Sequence, residues 1–198
     1  DNFNSAKEHP NENYARELME LHTLGVEGGY SEQDVKEVAR CFTGWTLRDN
    51  WKGRFYFDKN MHDDGEKTVL GHRIAGGRGI EDGLQVLDIL ATHPSTATFI
   101  SKKLCRKFVS DQPDDALVQA VAQTFMDTGG DIKAMLRYIL TSEAFVNSKG
   151  QKFRRPMEAV VAMVRTLTPA VQVNDYWTLM YWLELMGHRP YHWYPPNG

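Results

Sequence analysis

Apolar residues recur every three or four positions through most of this chain, and that period restricts the possible folds more than any other feature of the sequence. Each periodic stretch is bounded by a glycine, a proline or a helix-capping residue. The stretches lie near 11–24, 31–43, 80–92, 94–108, 113–128, 131–140, 156–167 and 176–186. The sequence therefore predicts a mainly α fold, an irregular multi-helix domain.

The helical period is interrupted between Trp45 and Gly79, where short alternating segments stand on either side of a polar loop. Alternation of this kind is typical of strands. We expect residues 54–57 to pair with residues 68–70, which gives a small β-hairpin insertion near residues 54–70 inside a looped region, 46–79. The remainder of 1–198 is predicted to form one helical domain.

The charge balance argues against nucleic acid as a partner, because the formal net charge is -3 and the sequence pI is about 6.2. Two local basic runs, 102–107 in a predicted helix and 149–155 in a predicted loop, are interpreted as solvated faces or as partners of carboxylates. The sequence contains no apolar run that approaches about 18 residues, so we predict no membrane span.

The two cysteines, Cys41 and Cys105, lie inside helical patterns and lack the spacing of a metal site. They are interpreted either as buried thiols or as one bridge between two helices. The chain opens on Asp1 rather than on methionine, so we expect a processed form or a fragment of a longer protein.

Acidic residues and a histidine are concentrated in the first predicted helix. Glu17 stands among Tyr14, Leu18 and Leu21 on the apolar side of that helix. Burial of an unpaired carboxylate costs several kcal/mol. We therefore predict an enclosed polar site in which Glu17 is paired, bound to a metal or protonated.

A divalent metal is one interpretation of this site. Carboxylate and imidazole groups suit zinc, manganese or iron, and Glu17, His62 and Asp63 would be the ligands. His22 points away from Glu17 on a regular helix, so the ligands must come from two segments. The same three groups would serve a metal-dependent hydrolase as acid and base.

A buried ion-pair network is the alternative interpretation, in which an arginine such as Arg40 or Arg106 donates to Glu17. Such a network fixes helix packing and performs no chemistry. The predicted polar site, under either interpretation, comprises Glu17, Glu20, His22, His62, Asp63, Arg40 and Arg106.

Aromatic residues are dense near the end of the chain, at Trp177, Tyr181, Trp182 and Trp193. The last predicted helix is apolar on nearly all sides, which is typical of a buried helix. Two hypotheses remain: the rings pack on this domain or against a part of a longer protein outside this chain, or they form a saccharide- or peptide-binding module.

The chain resembles the bacterial family known as domain of unknown function 1800. The similarity is carried by the Asn-x-Asn-x-Ala-Arg-Glu-x-x-Glu-Leu-His-Thr-Leu-Gly-Val segment and by shorter motifs along almost the whole chain. These are Asn11–Val26, Gly28–Val35, Thr43–Trp45, Phe55–Phe57, His62–Gly65, His93–Phe108, Gly130–Asp131, Ser142–Phe145 and Pro156–Glu158.

The resemblance implies that this chain is the central and C-terminal part of a longer protein, whose missing segments would be its first partners. Genes of that family often lie beside the gene of an exported protein, which implies a bacterial envelope or periplasmic location. The resemblance to this family implies no enzymatic activity. Function is therefore unknown from sequence, with a structural or interaction role in an assembly as the leading hypothesis.

Overall fold

A computed structural model describes residues 2–48, 53–167 and 176–192 of the chain; Trp193 lies outside these ranges. The predicted mainly α fold is confirmed. The α-helices in the described ranges are α1 Glu12–Glu17, α2 Glu32–Cys41, α3 Ile80–Ala91, α4 Pro94–Phe108, α5 Asp115–Thr128, α6 Ile132–Thr141, α7 Glu143–Asn147, α8 Pro156–Leu167 and α9 Tyr176–Leu185.

The first helix changes its winding halfway along. Asn11 caps α1, and the chain then continues as a π-helix over Leu18–Thr23, in which the backbone N–H of Leu24 donates to the carbonyl of Met19 at 2.7 Å. The wider turn alters which side chains point inward. Ala15 and Met19 are fully buried, whereas the residues predicted to face inward, Tyr14, Leu18 and Leu21, are only half-buried.

Helix α2 forms as its sequence predicts. Ser31 and Asp34 make a reciprocal capping box at its start. Val35 and Val38 are fully buried against the first helix, and Phe42, just beyond the helix end, lies in the same core.

Two β-hairpins replace the single hairpin that the sequence predicts. Segment 54–57 pairs with the preceding strand, which begins at Trp45, and not with residues 68–70. That part of the prediction is wrong. The strands are β1 Trp45–Arg48 with β2 Arg54–Phe57, and β3 Lys67–Val69 with β4 His72–Ile74, each pair antiparallel.

The second hairpin is decided by its turn. Leu70 and Gly71 form a two-residue connection in which both φ angles are positive, 49° and 79°. Such a turn lets β3 pair at once with the residues that follow it. The carboxylate of Asp34 accepts the Leu70 backbone N–H at 2.7 Å, which helps to hold leucine in a conformation that favours glycine.

The described residues form two hydrophobic cores. The first lies between α1, the π-helix, α2, α3 and the β3–β4 hairpin, and the second lies between α4, α5 and α6. Helix α4 links them, because its Phe99 ring fits against Gly25 and its Ser95 hydroxyl donates to the Gly28 carbonyl at 3.2 Å. The assignment of 1–198 to a single domain stays a prediction.

Helix α3 presents a different face to the core from the predicted one. The apolar period places Ile80, Leu84, Leu87 and Ala91 inward. The structure instead buries Asp82, Gly83, Val86 and Leu90, and it leaves Leu84 40% exposed. The helix is turned by polar and steric contacts of Asp82 and Gly83, which also define the candidate site.

The last described helices include the aromatic segment. Helix α9 buries Leu183 completely and leaves most of its aromatic rings exposed. None of the helices in the described ranges has both the length and the apolar character that a bilayer crossing requires.

Candidate functional site

A lysine and an aspartate meet beneath the β3–β4 hairpin. The alternation of β3 points Lys67 and Val69 inward and Thr68 outward. Asp82 lies in the first turn of α3, where the positive end of the helix dipole favours a carboxylate. The Lys67 Nζ donates to Asp82 Oδ2 at 2.6 Å, and both side chains are 0% exposed.

Every N–H of the Lys67 ammonium group has an acceptor. Besides Asp82, Lys67 donates to the carbonyl of Gly65 at 2.9 Å and to the carbonyl of Asp63. An ammonium group has three N–H donors and no acceptor. Lys67 is therefore saturated, and it ties the loop before β3 to the start of α3.

The His62 imidazole lies beside this ion pair. Its Nδ1–H donates to the Thr43 carbonyl at 2.8 Å, and its Nε2 lies 3.3 Å from Asp82 Oδ2. The Phe57 ring covers the imidazole at 5.3 Å between centroids, and the His62 side chain is fully buried. We call the Lys67–Asp82 ion pair, together with the neighbouring His62 imidazole, the buried charged cluster.

A tight helix contact lies directly beside the cluster. A Cβ at position 83 would lie 2.5 Å from Cζ2 of Trp45, so only glycine lets the indole ring approach α3. Asp82 Oδ1 and Trp45 Nε1 are both buried, and neither has a hydrogen-bond partner in the described part of the chain. Because orphaned polar atoms are costly, the cluster depends on the packing around it.

A second polar network joins the outer side of the same loop to α2. Arg40 donates to both carboxylate oxygens of Asp63, at 2.8 and 3.2 Å, and through Nη1 to Glu37 at 2.9 Å. Glu37 also accepts the Thr68 backbone N–H at 3.1 Å. The Arg40 guanidinium holds the pKa of the Asp63 carboxyl below its usual range. The side chains of Arg40, Asp63 and Glu37 are therefore engaged in hydrogen bonds within this network.

Both cysteines are free and buried, which selects the first of their two predicted states. Burial raises the pKa of the Cys41 thiol to about 12. A thiol with so high a pKa is a poor nucleophile near neutral pH. Cys41 therefore adds no reactive group to the neighbouring cluster.

Family membership follows from comparison of the whole sequence. The sequence model of a family described as "Protein of unknown function (DUF1800)" matches residues 1–198. This chain belongs to the DUF1800 family. No curated protein and no solved structure matches the chain. The resemblance found in the motifs is thus confirmed, and the DUF1800 family supplies no activity for them.

The predicted residues of the first helix do not join the buried charged cluster. Glu17 is half-buried, and its carboxylate makes no hydrogen bond or ion pair with any residue in the described ranges. Burial and then the nearby Glu20 carboxylate raise the pKa of Tyr30. His22 is exposed, and Arg16 pairs with Glu32 of α2 at 2.6 Å.

The predicted metal ligands are not brought together. Among the residues that the structure describes, no three histidine, cysteine, aspartate or glutamate side chains are grouped so as to hold a metal ion. Glu17, His62 and Asp63 are therefore not a ligand set in this arrangement. Arg40 does meet Asp63, whereas Arg106 is an exposed residue of α4.

Lys67 and Asp82 are the residues that the sequence analysis missed. One signal was present: the alternation Lys67-Thr68-Val69 places the lysine on the same face as a core valine. A second was Gly83 inside a helix, since such a glycine often marks a close packing contact. Together these signals indicate a buried cation facing α3.

Proposed function

We propose that this chain is an interaction protein that assembles through α9, and that a second copy of the chain covers this helix. The observation that carries the proposal is the outer face of α9, which we define as Trp177, Tyr181, Trp182 and Leu185. These side chains are 72%, 56%, 56% and 61% exposed.

Helix α9 has two apolar faces, of which the described residues cover one. Leu183 is fully buried and marks the inner face. Trp177, Tyr181 and Leu185 follow one another at intervals of four residues, so they form a continuous stripe on the opposite side. A helix that is apolar all round is normally buried, which favours an occupant for the outer stripe.

The outer face fits an uncharged partner. Within α9 the only charged residue is Glu184, and Arg189 pairs with it at 2.9 Å. A neutral stripe meets no charge repulsion from a second copy of itself, so two copies can pair about a two-fold axis.

The area of the outer face of α9 determines how tightly two copies are expected to bind. The exposed rings of α9 leave on the order of 500 Å² of apolar surface open. Stable interfaces bury about 800 Å² from each partner. We therefore expect a reversible dimer rather than an obligate one.

The rings do not form a flat platform for a sugar. Tyr176 with Trp177 and Tyr181 with Trp182 pack edge to face, at interplanar angles of 63° and 68°. The buried charged cluster likewise gives little support to the hydrolase alternative, because Lys67 has no free donor and no contact with solvent. An interaction role accords better with both observations.

Sedimentation equilibrium over a range of protein concentrations tests the proposal. The wild-type chain is expected to dimerise reversibly, and Trp177→Ser with Leu185→Ser is expected to leave a monomer. The control carries Val26→Ser and Val146→Ser, two apolar residues that are 73% and 67% exposed outside α9.

Three results would overturn the proposal. They are a wild-type protein that stays monomeric at all concentrations, a dimer that survives the α9 substitutions, and a dimer lost equally in the control. A monomer that binds lipid vesicles or oligosaccharides through α9 would assign this face to those ligands instead.

A further inference from the structure

The two basic runs of the sequence meet in one groove of the folded chain. We propose that this groove binds a compact, multiply charged phosphate group. The groove lies between the C-terminal half of α4 and the loop that leads into α8, and its volume is about 500 Å³. Sites for small molecules commonly have volumes of about 300–1,000 Å³. We call this feature the basic groove.

Two ion pairs build the walls of the basic groove. Lys107 on α4 pairs with Glu158 in the first turn of α8. Lys152 on the loop pairs with Asp111, and its Nζ also donates to the Arg106 carbonyl at 2.5 Å. These contacts fasten the loop and α8 to the end of α4, so the groove is shaped before any ligand enters.

The groove contains more positive charge than its own carboxylates neutralise. Asp111 and Glu158 are its acidic residues, and each is already held by a lysine. Lys103, Arg106 and Arg155 also line the groove. Three cationic side chains thus remain in excess.

None of the three excess cations pairs with a carboxylate in the described ranges. The Lys103 ammonium lies 4.8 Å from the centroid of the Phe99 ring, and it donates to the Leu21 carbonyl at 3.5 Å. The guanidinium groups of Arg106 and Arg155 make no hydrogen bond with described residues. Both are close enough to Asp111 to add to the effect of Lys152, which lowers the pKa of that carboxyl.

Guanidinium groups indicate the class of ligand. Their planar fork donates two parallel hydrogen bonds to phosphate or carboxylate oxygens. Two open guanidinium groups and one ammonium group in a small groove favour a ligand with two or more negative charges on adjacent oxygens. Phe153, which is 96% exposed, stands at the same groove and offers an apolar contact to the rest of the ligand.

The charge of the whole chain favours a compact anion over a polymer. The formal net charge of -3 makes the chain as a whole anionic, which disfavours binding to a nucleic acid backbone. An excess of charge confined to one groove suits a single phosphate or diphosphate group.

Isothermal titration calorimetry with inorganic phosphate and pyrophosphate, at constant ionic strength, tests the proposal. Pyrophosphate is expected to bind more tightly than phosphate. The double variant Arg106→Gln with Arg155→Gln is expected to weaken pyrophosphate binding by about tenfold or more, because hydrogen bonds to charged groups are lost. Titrations with ribose 5-phosphate and with phosphoserine then show whether the groove prefers a phosphate carried by a sugar or one carried by an amino acid.

The control variant carries Arg137→Gln with Arg165→Gln, which removes the same charge from exposed residues outside the groove. It should bind as the wild type does, and both variants should melt like the wild type. If pyrophosphate binding were weakened equally in both double variants, the effect would come from net charge alone, and the proposal would be overturned. So would a wild-type chain that binds neither anion, or one that binds only a DNA duplex.

Discussion

The buried charged cluster and the basic groove are built from the same kinds of residue, yet they present opposite states of those residues. Lys67 and Asp82 have no exposed side-chain surface, and every donor of the lysine is used. In the groove, Arg106 is exposed and forms no ion pair with any of the described residues. A buried lysine whose donors are all used indicates a structural role. An exposed cation without an ion-pair partner indicates a binding role.

The two regions also differ in how much their charged side chains contribute to the free energy of unfolding. Taking a charge out of water is expensive. The complete hydrogen bonds of Lys67 offset part of this cost, whereas Asp82 Oδ1 has no partner among the described residues. Exposed charges are well hydrated and contribute little to stability. Substitutions in the cluster should therefore affect folding, and substitutions in the groove should affect ligand binding alone.

The largest effect is expected when the buried pair is broken. Lys67→Met leaves the Asp82 carboxylate buried without its cation, and it should lower the free energy of unfolding by about 3–5 kcal/mol. Urea denaturation followed by circular dichroism measures the loss. The double variant Lys67→Met with Asp82→Leu should recover much of it, because both charges are removed together. A single variant as stable as the wild type would show that the pair is not buried.

The next effect concerns the tight contact beside the cluster. Gly83→Ala places a methyl group against the Trp45 indole ring, and overpacking of this kind costs about 1–3 kcal/mol. The added methyl group should be tolerated better in a Trp45→Phe background, where the crowded indole atoms are absent. Thermal melts of the four proteins form a cycle that checks this. Equal costs in both backgrounds would place the clash elsewhere.

A smaller and pH-dependent effect is expected at the Arg40–Asp63 ion pair. The folded-state pKa of Asp63 lies below the unfolded value of about 3.9, so its contribution is present above that pH and is lost as pH falls through the folded pKa. Asp63→Asn should cost about 1–2 kcal/mol at neutral pH.

Urea titrations of the wild type and Asp63→Asn at several pH values measure that difference. It should shrink as the solution is acidified below pH ~4. Asp88→Asn, at an exposed residue of α3, serves as the control. A difference between wild type and Asp63→Asn that stays constant down to low pH would contradict the ion-pair account.

The smallest effect on folding is expected in the basic groove. Arg106→Gln with Arg155→Gln should change the free energy of unfolding by less than about 0.5 kcal/mol, because exposed charges contribute little. Urea denaturation under the conditions used for Lys67→Met allows a direct comparison. A loss of several kcal/mol would mean that these arginines support the fold, and the contrast between the two regions would fail.

The helices were predictable because their signals are local. Caps such as Ser31, the proline at position 94 and the glycine pair at 129–130 stand in the sequence itself, and the structure places helix ends at or near each of them. The burial of Val35 and Val38 likewise follows from the period of α2 alone.

The hairpins and the site were harder because they depend on contacts between distant segments. Strand pairing was decided by the Leu70–Gly71 turn, and the inward face of α3 by Trp45 and Lys67, which precede that helix in sequence. The π-helix over Leu18–Thr23 also changes the angular spacing that a regular helix would give between Glu17 and His22. Periodicity gives no information about such partners.

Chemical labelling of lysine amines in the native protein tests the central claim most directly. Lys67 and Lys102, an exposed lysine of α4, can be compared in one experiment by mass spectrometry after brief reaction with acetic anhydride. The account predicts that Lys102 is acetylated at once and that Lys67 stays unmodified until urea unfolds the chain. Acetylation of Lys67 at the rate of Lys102 in the folded protein would contradict it.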